Sequence, residues 1–532
     1  MFDLVIKNGT IIDGSKAPGY RADVGIRGDR IVALEQLEAA ESERVIDARG
    51  KIVAPGFIDV HAHADGWLLK TPNFFSKTSQ GFTTEVIMAD GISYAPVNRH
   101  TALEWLYYLR TLNGLCFEDY EGWESIADYM ALLDRRTAQN SIPHVPYGNV
   151  RTLVCGFGRL APDDMQMKHM IAEIEKGMDA GAVGLSTGLD YIGQCHATTD
   201  ELVEACRAIA PQQGLYVTHI RYKKGIMRGV KEAVEIGKRA GVPVHISHLK
   251  GQSQGQGRID DELLTYIDRV ATQEVDFSFD LYPYMASSTM LNYLFPYEIW
   301  ADGPFRVVEK LRQPIIQSRV ATSLQSVDLD RAYIAWVLSK QNSHHQGKSL
   351  RQYCADVGLP PAEACTNLLI EENLAVLLVF RLSNDAFVEP YLTHSHFMLG
   401  SDGIFQEDGI VHPRQYGSAT RLIGPCVRDS AMPPFGKKLF SLEEAIYKLS
   451  AFPAARFGLL GRGIIKEGNF ADLVIFDAQT VSDRATLEQP QQFSSGIEHV
   501  IVNGVPIITD SQPIMDFPQG PPGRALRFKQ TK

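Results

Sequence analysis

The residues able to do chemistry in this chain are histidines and an aspartate placed at the ends of apolar runs. Gly56-Phe57-Ile58-Asp59-Val60-His61-Ala62-His63-Ala64-Asp65 reads as a buried strand that ends in two histidines two residues apart. Alternate side chains of a strand share a face, so His61 and His63 can bind one metal ion together. The same signature returns in Val217-Thr218-His219-Ile220-Arg221, in His245-Ile246-Ser247-His248-Leu249-Lys250 and in Leu399-Gly400-Ser401-Asp402-Gly403. His245 lies three residues before His248 and should face the other way in a strand, which suits packing or support better than ligation. His61, His63, His219, His248 and Asp402, each closing a separate apolar run or sharing the first, form a constellation that chance rarely yields.

Such groups must be gathered by the elements that carry them. From residue 56 onward apolar strand-like runs alternate with helical ones, the pattern of βα units around a parallel sheet. Eight strands are expected: Phe57 to His63, Thr84 to Met88, Asn149 to Cys155, Val183 to Ser186, Tyr216 to Ile220, Val244 to His248, Asp276 to Leu281 and Phe397 to Gly400. Between them, Met165 to Ala180, Thr199 to Gln213 and Gly229 to Ala240 carry apolar residues at helical spacing with a glycine near the end. The fold class is therefore α/β, a (β/α)8 TIM barrel, in which catalytic groups sit at the C-terminal ends of the strands.

The two ends of the chain are strand-like instead. Val5-Ile6-Lys7-Asn8-Gly9 is echoed by Val500-Ile501-Val502-Asn503-Gly504, and both termini are expected to complete one β-sandwich. The division that follows is 1–55 plus 456–512 as sandwich, 56–455 as metal-dependent barrel, and 513–532 as a C-terminal strap. Residues from about 285 to 392 are too many for one loop and helix, so a mostly helical insertion after strand seven is expected there.

A formal charge of -11 over 532 residues argues against nucleic-acid or anionic-membrane partners, which need clustered Lys and Arg, and leaves small molecules as the expected partners. The N-terminus lacks a basic segment followed by a long apolar core, and a cytoplasmic location is expected. Seven cysteines without a CxxC pair suit reduced thiols. Nothing in the sequence sets an oligomeric state.

The segments PGFIDVHAHAD, QGFTTEVIMADGIS, GLSTGLDY, YVTHIRY, VPVHISHLK, FDLYPYMASSTML, GSDG, HPRQYG and NFADLVIFD together resemble the amidohydrolase superfamily, and within it the N-acyl-D-amino-acid deacylase (D-aminoacylase) family. The resemblance implies one or two divalent ions, zinc above all, with His61 and His63 at one metal position, His219 and His248 at the tighter one, and Asp402 as general base and acid. It further implies Arg414 as the group for a substrate carboxylate, with Tyr191, Tyr282 and Ser288 helping to fix the substrate and Lys250 open to either substrate contact or structural pairing. Arg221 is a further candidate for polarising the acyl carbonyl. Members of the family usually carry a metal-binding cysteine before Gly-Ile-Ser on strand two, whereas this chain has Met88-Ala89-Asp90-Gly91-Ile92-Ser93; Asp90 stands in its place as a harder ligand. Two further departures are Tyr191-Ile192-Gly193-Gln194, where a proline is frequent, and Phe157, where a histidine is common. The implied reaction is hydrolysis of the amide of an N-acyl-D-amino acid. Its rivals are a cyclic amidase of the dihydropyrimidinase or dihydroorotase kind, which would want a lysine that strand four lacks, a metal-dependent epimerase, and a non-catalytic binding protein of the same fold.

Overall fold

The structure is a computed structural model that describes residues 1–37, 42–251, 261–382, 384–429 and 434–530. Its centre is a ring of parallel strands. In order they are Phe57–Asp59, Phe82–Ile87, Asn140–Pro143 continued by Val145–Pro146, Gly184–Gly188, Leu215–His219, Val244–Ile246, Phe277–Leu281 and Phe397–Leu399. Each pairs in parallel with the next. A parallel bridge between Ala62 and Gly403 joins the eighth strand back to the first. These strands are buried along their whole length, which is why they read as apolar runs and not as alternating ones.

Strand three is the place where sequence and structure part. Residues 149–155, expected as a strand, lie in a helix, Tyr147–Cys155, and the strand is Asn140–Pro146 with a break at His144. A short apolar run such as Val150 to Val154 carries no periodicity long enough to separate helix from strand. Pro143 and Pro146 hid the true strand, because a proline gives no N–H to a ladder. Pairing with both neighbours overrides that local signal: His144 N–H still reaches Ile87 O at 3.1 Å.

The segment between strands seven and eight has more helix than strand, but it is not helix alone. It holds the helices Pro304–Leu311, Pro314–Leu324, Leu350–Val357 and Pro361–Glu371, but also an antiparallel three-stranded sheet of Ser287–Met290, Val376–Phe380 and Ala332–Val337. Its pairs, such as Ser288 with Val379, are remote in sequence, so no local pattern announces them.

Both termini build the sandwich. Ile52–Pro55 lies antiparallel to Leu473–Phe476 in a seven-stranded sheet, and a four-stranded sheet contains Phe2–Lys7. Leu4, Ile6, Val24, Ile26, Val53, Leu473, Ile475 and Ile501 form the core between them. The hairpin Ile497–Val502 to Val505–Thr509 turns at Asn503 (φ 49°) and Gly504 (φ 81°), the paired positive φ values that Asn-Gly adopts readily. The C-terminal stretch runs along strand three, with Ser141 N–H donating to Arg524 O at 2.9 Å and Leu526 N–H to Ser141 O at 2.7 Å. Among the described residues no helix is long and apolar enough to cross a membrane.

Candidate metal centre and cavity

The C-terminal ends of strands one, two, five, six and eight converge on one buried point. Asp90, 1% exposed, stands at its middle. Its Oδ1 is 3.6 Å from His61 Nε2, and its Oδ2 is 3.8 Å from His63 Nε2, 3.7 Å from His219 Nδ1 and 3.9 Å from His248 Nε2. Asp402 Oδ1 lies 3.3 Å from His63 Nε2 and 3.8 Å from His61 Nε2. Three of these residues turn inward through left-handed backbone: Asp90 at φ 56°, His248 at 39° and Asp402 at 49°. Such values are sparsely populated outside glycine and collect at functional sites.

These spacings fit a cation. Ligand atoms about 2.0–2.1 Å from a tetrahedral ion are held about 3.3 Å apart, close to the separations seen. Both oxygens of Asp90 and both ring nitrogens of His61 are buried and find no hydrogen-bond partner among the described residues, and such groups are rarely left unmatched. Donor atoms of His61, His63 and Asp402 lie within 4.8 Å of one another, as do those of His61, Asp90 and His248. Burial works against charging His61, yet Asp90, Asp280 and Asp402 outweigh it and push its pKa up to about 10. Positive charge is what this cluster of carboxylates calls for.

Each histidine is backed by a second group on its far side. Asp190 is 3.4 Å from His219 Nε2, Asn113 Oδ1 3.3 Å from His63 Nδ1, Tyr222 OH 3.2 Å from His248 Nδ1 and Asp280 3.7 Å from His61 Nδ1. Supports of this kind set ring orientation and tautomer. Asp280 also accepts His248 N–H at 2.9 Å and contacts His245 Nε2 at 2.9 Å, so His245 serves the site through Asp280 and not as a ligand. Sequence reasoning passed over Asp190, Asp280 and Asn113. The signal for Asp280 was a carboxylate inside the apolar run Phe277–Leu281, since a buried charge has to be matched by something.

A cavity of about 550 Å³ opens over the centre, lined among others by Tyr191, His219, His248, Lys250, Tyr282, Ser288 and Asp402. Lys250 Nζ donates to Tyr282 OH at 3.0 Å and to the carbonyls of Met285 and Ala286, both at 2.9 Å. Burial and then the repulsion of Arg414 push the Lys250 pKa down to about 7. Ser288 is on the wall with its hydroxyl donated to Leu378 O at 2.7 Å, and the Tyr191 ring packs against His219. Arg414, fully buried, stands over the Tyr282 ring and holds Asp402 Oδ2 at 2.8 Å. Burial alone would raise the Asp402 pKa, but Arg414, then His63 and the other histidines, hold it well below the usual carboxylate range. Arg221 plays no part in the cavity: it contacts Glu232 at 3.0 Å and the carbonyls of Leu189, Cys195 and Ala197. Strand four, Gly184-Leu185-Ser186-Thr187-Gly188, brings no lysine to the centre.

Fold and site together define a (β/α)8 barrel built to hold divalent metal at the C-terminal ends of its strands. The profile of the amidohydrolase family matches residues 44–262 and 431–508. The chain is 36% identical over 508 residues to a D-aminoacylase of Alcaligenes xylosoxydans xylosoxydans, covering 95% of this chain and 94% of that one. It is 35% identical over 535 residues to an N-acyl-D-glutamate deacylase of the same organism, covering 99% and 96%. Among solved structures, the N-acyl-D-glutamate deacylase of Bordetella bronchiseptica, complexed with zinc and a phosphonate mimic of the tetrahedral intermediate, superposes with a TM-score of 0.82 at 32% identity over 99% of both chains. This chain belongs to the amidohydrolase family.

Proposed function

We propose that the protein is a metal-dependent hydrolase that splits N-acyl-D-amino acids into a carboxylate and a free D-amino acid. One observation carries the reading: Asp402 joins the cluster of metal donors to a cationic wall. On one side it is 3.3 Å from His63, and on the other it is 2.8 Å from Arg414, with Lys250 and Tyr282 beside it in the same cavity. His61, His63, Asp90, His219 and His248 would hold the metal, zinc by the likeness to the zinc-bound relative. A divalent ion there would supply Lewis acidity and would lower the pKa of a bound water to about 7.

The chain's own groups do the rest. Lys250, Tyr282 and Ser288 line the cavity where the substrate carboxylate would sit, with Arg414 behind them over the Tyr282 ring; a carboxylate there would favour the charged form of Lys250, which burial and Arg414 disfavour. Asp402 takes a proton from the attacking water as its oxygen bonds to the acyl carbon. It returns that proton to the nitrogen as the C–N bond breaks, so the amine leaves neutral. Tyr191 closes the wall above His219. The D-configured acyl amino acid is favoured over a ring amide by the relatives' own substrates and by the missing lysine on strand four.

The test is a turnover panel of N-acetyl and N-formyl amino acids in both D and L forms, beside hydantoin and dihydrouracil. Turnover of the D series is expected. Turnover confined to the rings overturns the substrate class, and inactivity with every compound in zinc-, manganese- and cobalt-loaded protein overturns the enzyme reading.

A further inference from the structure

We propose that Lys77, acting through Asp59 and Ser401, is a positioning residue for Asp402 across the seam where the barrel closes; its effect on turnover rests on the deacylase reading above. Strands one and eight share little backbone pairing. One bridge, Ala62 with Gly403, joins them, with Asp402 N–H donating to His61 O at 2.8 Å and His63 N–H to Gly403 O at 3.2 Å. His61 and His63 stand on one side of this seam and Asp402 on the other. A slip along it therefore changes every distance between the general base and the metal donors.

A buried network lies beneath the seam. The Asp59 carboxylate accepts the backbone N–H of Ser401 at 2.8 Å and of His61 at 3.3 Å, together with the Ser401 hydroxyl. Ser401 Oγ in turn accepts Gly403 N–H at 3.1 Å. Lys77, from the short helix Phe75–Thr78, pairs with Asp59 and donates to Ser401 Oγ at 2.7 Å. The amides of 401 and 402 are thus held from the strand-one side, by Asp59 and by His61 O, and that of 403 by the Ser401 hydroxyl that Lys77 and Asp59 fix. Asp59 and Lys77 are both fully buried. A buried ion pair contributes little stability over an apolar replacement, and its best attested use is to fix a register. Register at this seam is what sets the Asp402 to His63 spacing of 3.3 Å.

The experiment uses metal-loaded full-length protein carrying Lys77→Met, with Ser401→Ala as a milder variant that keeps the charge pair. Lys77→Met should lower kcat by about 10- to 100-fold, the scale set by sub-ångström to 1 Å misplacement, with KM and metal content within threefold of wild type. Ser401→Ala should move the same way by less. In an Asp402→Asn background Lys77→Met should cost less than threefold, because the group it positions is already gone. Wild-type kcat in Lys77→Met, or the same loss in both backgrounds, overturns the proposal. If the wild type turns over none of the acyl amino acids, the deacylase reading fails on its own. Crystal structures then decide the seam: a changed Asp402 to His63 spacing in Lys77→Met upholds it, and an unchanged one overturns it.

Discussion

Replacing Asp402 by Asn tests the proposed reaction at its centre. The amide keeps the shape but cannot take a proton, and the step it served is worth about 10²- to 10⁴-fold in rate, or about 3–5 kcal/mol of barrier. One structural cost accompanies that loss. The Arg414 guanidinium, 2.8 Å from the carboxylate and fully buried, would face a neutral oxygen. Leaving a buried polar group poorly matched costs about 1–3 kcal/mol, which a folded protein of this size should survive. Metal should stay, because His61, Asp90 and His248 form a donor group that does not include Asp402. The expected result is a folded protein by thermal melting, at least one divalent ion per chain by mass spectrometry, and kcat reduced by about 10²-fold or more on the best N-acyl-D-amino acid. A kcat within threefold of wild type, with metal bound, would falsify the assignment of Asp402 as proton carrier.

Three further outcomes follow from the same geometry. Asp90→Ala removes the carboxylate that faces all four metal-side histidines and should purify with fewer divalent ions per chain; equal metal content would show that Asp90 touches none. Lys250→Met should raise KM by about 10- to 100-fold for substrates with a free carboxylate, the range of a charged hydrogen bond, yet leave the corresponding amide substrates unaffected; a uniform loss would make Lys250 structural. Glu85, chiefly through burial, has its pKa pushed up from 4.5 to about 8. The folded chain therefore keeps a proton between those values that the unfolded chain has lost, and this contribution to stability falls as pH rises across the window. Glu85→Gln should flatten that fall, with a gain at pH 8 on the order of 3 kcal/mol; parallel urea curves of both proteins at pH 5 and pH 8 would exclude it.

The sequence alone determined the class of fold and which titratable side chains gather at the barrel mouth. Apolar runs buried on both faces and separated by amphipathic helices have one efficient packing, and a histidine that ends such a run is placed at the barrel mouth by chain direction alone. That is why His61, His63, His219, His248 and Asp402 were legible one run at a time. Other features depend on contacts between residues far apart in the chain, and only the tertiary structure decided them. Strand three is held by its neighbours against its own prolines, and the sheet in the insertion is built from pairs such as Ser288 with Val379. Asp190 and Asp280 acquire a role only from the rings they face. The same holds for Arg414, whose place on Asp402 no spacing could reveal, and for Asp90, whose central position among four histidines comes from the closure of the ring. Side-chain type and local period reside in the sequence, but the distance between two charged groups is set by every element packed between them.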